Sequence, residues 1–131
     1  MPPMLGSIEE FLGLRVEIHD VVYMPHLDAP PEKPHPFAYF ISIHNESPQS
    51  ITIRGRKWVV TESDRDITVV EGEGVVGQMP TIESGSHFSY HSYHIVRTNA
   101  QVTGAFFGHT QSGHRIYTRI PNFNLIIPAD A

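Results

Sequence analysis

The residues with the clearest capacity for ligand chemistry are Gly72-Glu73-Gly74-Val75-Val76-Gly77, which repeat the G-x-G-x-x-G spacing that brings backbone amides up to a pyrophosphate. That chemistry needs a helix opening at the last glycine, so that a positive N-terminus faces the phosphates. Pro80 follows three residues after Gly77 and no helical period comes after it, while Glu71 and Glu73 would repel an anion. No Gly-Lys-Ser/Thr run is present, which excludes a P-loop. The glycines are therefore expected to permit positive φ or a tight backbone crossing as the chain passes from one sheet to the other. A small-anion or nucleotide site at residues 72–77 stands as the alternative, with Arg54, Arg56 and Lys57 as its counter-charge.

Histidine is the second resource, with nine in the chain. On a helix His87, His91 and His94 would share a face; on a strand His87 and His91 lie on one face about 13 Å apart and His94 points the other way. The alternation of Phe88 and Tyr90 favours the strand. His109 and His114 flank Thr110-Gln111-Ser112-Gly113, and a four-residue hairpin loop there would set them opposite each other, with Cβ atoms about 5 Å apart. Two imidazoles make a weak, open divalent-metal site. With no cysteine, no G-x-S-x-G elbow and no recognisable carboxylate pair, the sequence offers no catalytic constellation; a non-enzyme without a cofactor is expected.

The elements that must position these residues read as strands. Leu14, Val16 and Ile18 alternate with polar residues, then Pro25, Pro30, Pro31, Pro34 and Pro36 impose a loop over residues 24–36. Phe37, Tyr39, Ile41 and Ile43 share one face of a strong strand. Further runs span 51–61, with Gly55 as a bulge, then 67–71, 88–95, 102–110, 115–120 and 123–127, the last bounded by Pro121 and Pro128. Ser7-Ile8-Glu9-Glu10 has the spacing of a capping box, which predicts a short helical turn over Ile8–Leu12. Seven or so short strands with turn signals between them predict an all-β, two-sheet sandwich, with Trp58 in its core. Residues 1–131 form one domain, of which 1–13 are an N-terminal extension. The net charge of −5 argues against a nucleic-acid backbone binder, and no apolar run is long enough to span a bilayer. Residues 1–13 lack the pattern of a secretory signal, so a cytoplasmic location is the expectation.

Several ordered segments resemble the ApaG domain family. They are Arg56-Lys57-Trp58, Val70 through Pro80, Tyr90-His91-Ser92 and Ile120 through Leu125, together with the aromatic strand ending at Asn45. Ser84-Gly85 and Ser92-Tyr93 depart from the family's pattern, as does Ala100 through Gly104. The resemblance implies an immunoglobulin-like or fibronectin type III-like sandwich without established enzymatic activity. It also implies bacterial proteins linked by name to cobalt and magnesium efflux. Related domains in an F-box subunit of ubiquitin ligases and in a polymerase-interacting protein imply a protein-binding role. A protein partner is thus the leading expectation, with a homodimer as an alternative. Within the glycine segment, strand alternation predicts Val75 turned inward and Val76 outward.

Overall fold

The computed structural model describes residues 8–131, and these contain nine strands and no helix. In chain order they are β1 (Glu9–Glu10), β2 (Leu14–Tyr23), β3 (His35–Asn45), β4 (Ile51–Glu62), β5 (Ile67–Glu73), β6 (Thr81–Ile82), β7 (His87–Val96), β8 (Ala100–Thr110) and β9 (Arg115–Leu125). One sheet has the order β1-β9-β8-β4-β5, with β6 also paired to β4; the other is β2-β3-β7. The all-β two-sheet sandwich read from the sequence is the observed architecture.

The core follows from strand alternation corrected by bulges. In β4, Ile51 and Ile53 point inward, and a register shift between Ile53 and Gly55 then hands the inward face to Trp58, Val60 and Glu62. Without that extra residue Trp58 would face solvent, because a one-residue slip reverses every side chain. Trp58 is instead 1% exposed, packed against Tyr39 with ring centroids 5.1 Å apart. From the opposing sheet, Phe37, Tyr39, Ile41 and Ile43 close the core, as their alternation predicts.

Three expectations change. Residues 8–12 make no helical turn: Glu9 and Glu10 pair in parallel with Ile116 and Tyr117, and the Phe11 amide donates to the Tyr117 carbonyl at 2.8 Å. One isolated turn bears the full cost of helix nucleation, whereas the open edge of β9 offers ready backbone partners. Ser7 of the expected capping box lies outside the described residues. Next, β9 is one strand where two were expected, because a bulge opposite Val102 and Gly104 carries the chain through Pro121. Finally, the glycine segment does not cross between sheets. Glu73 pairs with Gly55 and Thr81 with Thr52 along the same side of β4, so residues 74–80 are a blister in one interrupted edge strand. The crossing comes afterwards, at the Ser84-Gly85 turn, where the Gly85 amide donates to the Asn45 carbonyl at 2.8 Å.

Candidate functional site

The blister is built by a two-residue turn. Val75 and Gln78 exchange both backbone hydrogen bonds, at 2.7 and 3.0 Å. Val76 and Gly77 between them have φ of 45° and 79°. Positive φ at both central residues marks the type I′ hairpin, usual for Asn-Gly and costly for a β-branched residue. Val75 is fully buried and plugs the core, while Val76 is 48% exposed, the orientations expected from the sequence although the turn rather than strand alternation produces them. The Gly74 amide donates to the Arg54 carbonyl at 2.7 Å, so the amides of Gly74, Val75 and Gln78 are all committed to carbonyls.

Of the three basic side chains, Arg56 alone bonds this segment. Its Nη1 donates to the carbonyls of Glu73 and Gly74, both at 3.1 Å. The guanidinium lies against Gly72, where a Cβ would sit 2.6 Å from Nη1. Lys57 pairs with Glu71 at 3.4 Å on the outer face, and Arg54, at the bulge, borders a separate depression with His109 and Arg115. The bulge thus separates Arg54 from Arg56.

Beside Arg56 the two sheets part. Strands β5 and β7 are the last of their sheets on this side, and between them opens a cleft of about 570 Å³. Trp58, Tyr39, His94, Val70, Arg56 and Lys33 are among its lining residues. The His94 ring stacks on Tyr39 at a centroid distance of 4.9 Å and meets Trp58 edge-on at 5.1 Å. Burial pushes its pKa down to about 4, so the imidazole is neutral near pH 7. Trp58 Nε1 and His94 Nε2 are both buried and both lack a hydrogen-bond partner. At the far end Lys33 Nζ bonds Glu62 at 3.1 Å and Thr68 at 3.0 Å. Burial alone would raise the Glu62 pKa, but amide bonds from Thr98 and Arg97 and the Lys33 ammonium together hold it below the usual range.

A wider depression, about 740 Å³, lies on the outer face of β4, β8 and β9. Its two cations, Lys57 and Arg119, are already paired with Glu71 and Glu10. The free side of β5 carries exposed Ile67 and Val69, at 60% and 52%.

The histidine pair does not assemble. A turn over Thr110–Gly113, with Gly113 at φ 89°, leaves a three-residue loop, and the Thr110 amide closes on the His114 carbonyl at 2.9 Å. His109 therefore pairs with Arg115 and His114 stands opposite Thr110, which puts the two imidazoles on opposite faces. No group of three or more histidine or acidic side chains among the described residues is placed to hold a metal ion. As expected, β7 puts His87 and His91 on the outer face and His94 on the inner. The role of His94 in the cleft was missed, although its inward parity was the available signal. Lys33 was hidden in the proline-rich loop, and the edge position of β5 is a property of topology that no local pattern carries.

The ApaG domain profile matches residues 25–110. The chain is 37% identical to Protein ApaG of Proteus mirabilis over 111 residues, covering 82% of this chain and 86% of that one. Protein ApaG of Shewanella sediminis is 32% identical over 125 residues, with 95% and 97% covered. The crystal structure of a Bordetella pertussis protein described as a putative ApaA superposes with a TM-score of 0.80 at 25% identity, covering 94% of this chain and 99% of that one. Profile match, sequence identity and shared architecture agree: the chain belongs to the ApaG domain family.

Proposed function

We propose that this chain is a non-catalytic binding module that takes a protein partner along β5, by addition of a strand to the open sheet edge. The observation that supports it is the pairing of an edge strand with exposed apolar side chains, Ile67 and Val69, below an exposed Val76 and Met79 on the glycine blister. Free edges are ordinarily blunted by inward charges, proline or cover, because they template association. Here Glu71 and Glu73 guard one end of β5 and the apolar stretch at its other end is open. The cytoplasm is the expected place of encounter. On this reading the family's association with cobalt and magnesium efflux acts through the partner and requires no ion held by His109 and His114.

The test uses Ile67→Lys and Val69→Lys, both at exposed positions where stability should move by less than about 0.5 kcal/mol. Purification from the native cell should recover one stoichiometric partner with the wild-type chain and lose it with both variants. Sedimentation of the purified chain separates this from self-pairing, since a homodimer through β5 would be broken by the same substitutions. Recovery of the same partner by all three proteins would overturn the assignment to β5.

A further inference from the structure

We propose that the cleft between β5 and β7 is a binding site for an organic monocarboxylate with a flat apolar body, its carboxylate on Arg56 and its body against Trp58 and Val70. The inference does not depend on the outer face of β5, because Ile67 and Val69 pair with Thr61 and Val59 on the side of the sheet away from the cleft.

The charge of the cleft selects the ligand. Thr68, Val70 and Gly72 share a register with the inward residues of β4, whereas Glu71 pairs with Lys57 on the outside. The charges facing the opening are therefore those of Lys33 and Arg56. Lys33 is compensated by Glu62 at 3.1 Å and Asp66 at 3.6 Å. Arg56 is not: among the described residues no carboxylate lies within 4.0 Å of it, and only its Nη1 makes hydrogen bonds. Nε and Nη2 together form the side of the guanidinium that grips a carboxylate with two parallel bonds. Held by two backbone carbonyls and lying flat on Gly72, the group is fixed before any ligand arrives, which reduces the ordering cost of binding.

The body of the ligand is selected by the walls. At about 570 Å³ the space is within the range of small-molecule sites, and its apolar wall is formed by Trp58, Val60, Val70 and Ile95, beside the polar Thr68 and Ser92. A neutral His94 adds no second charge, so one anionic group suits the site better than a phosphate with two. The glycines of residues 72–74 acquire a use here: Gly72 in β5 seats Arg56, and Gly74 in the blister, with φ of 68°, turns the carbonyl that holds it.

Trp58 is the only tryptophan, so its emission reports on the cleft directly. The full chain is titrated with phenylacetate and with phenylacetamide, its uncharged match, and in a second arm with a pentapeptide ending in phenylalanine and with its C-terminal amide. A saturable change with at least one acid, at least tenfold weaker with the matching amide, is the expected result. Binding of the small acid points to a free metabolite as the source, and binding of the peptide alone points to a partner's C-terminus. Arg56→Gln should weaken the acid at least tenfold. Because that change also removes a charge, Gly72→Ala provides the second variant. It keeps every charge but pushes Nη1 aside and so loosens the same two carbonyls. Acid binding should fall at least tenfold in both variants, while the weaker binding of the matching amide, which does not use Arg56, stays unchanged. No saturable change with either acid up to millimolar concentration overturns the proposal, as does equal binding of acid and amide, or unaltered binding in Gly72→Ala.

Discussion

Two buried polar clusters in this one core are finished to different degrees. At the end where the chain crosses between sheets, Asn45 uses its whole capacity: Nδ2 donates to the carbonyls of Gln49 and Ile82, at 2.7 and 2.8 Å, and Oδ1 accepts from the Ser47 amide and hydroxyl, at 3.0 and 2.7 Å. At the opening between β5 and β7, Trp58 and His94 are nearly as buried and each leaves a nitrogen unserved. Satisfied networks rigidify a fold, whereas partly satisfied ones carry a cost that only a further group can recover. On the reading proposed above, the first end is structural and the second is where the molecule meets something else.

The comparison can be broken most forcefully at Asn45. Asn45→Ala takes the Asn45 bonds from the Ile82 carbonyl and the Ser47 amide, while the Gln49 carbonyl and Ser47 hydroxyl keep each other at 3.1 Å. It should cost about 3 to 5 kcal/mol in chemical denaturation, since each buried unsatisfied group costs about 1–3 kcal/mol. Gly74→Ala comes next. A Cβ there would sit 2.3 Å from the Gln78 carbonyl oxygen on backbone with φ of 68°, so a loss of about 3 kcal/mol is expected.

The open end is sharpened through pH. The His94 pKa is depressed to about 4, so between the ordinary value of 6.5 and that point the unfolded chain binds a proton that the folded chain refuses. This contribution lowers stability as pH falls through the window, by about 3 kcal/mol in all. His94→Phe should remove that slope while leaving other acid-dependent terms in place, as followed by denaturation at a series of pH values. Glu62 runs in the same direction with a different cause, for its depressed pKa supplies stability above the unfolded carboxylate range that is lost as pH falls through the folded value. At the bottom of the scale, Val76→Gly should raise stability by about 1 kcal/mol, because a β-branched residue at φ 45° is relieved. A loss instead would mean that the Val76 side chain is held by contacts that outweigh the strain.

Much of the fold was legible in residues whose signal is local. Alternation in Phe37 through Ile43 identified the central strand, Gly55 marked the bulge, and the failed helix after Gly77 removed the dinucleotide fold. The misreadings fell where long-range pairing decides. Ser7 through Glu10 have helical spacing, yet the edge of β9 claims Glu9 and Glu10, and Pro121 reads as a strand end until a bulge accommodates it. The hairpin after Thr110 turned on a single residue of loop length, which was enough to send His109 and His114 to opposite faces. The cleft was the least legible feature, because it exists only where β5 and β7 both end their sheets, and no stretch of sequence states which strands are last.

The most direct test of the claim that a partner adds along β5 is amide hydrogen exchange on the full chain, alone and with the partner recovered through β5. The account predicts slowed exchange in the β5 amides that point away from β4 and in the blister at residues 74–80, with β2, the opposite edge of the second sheet, unchanged. Protection at β2, or at no edge strand, would contradict it.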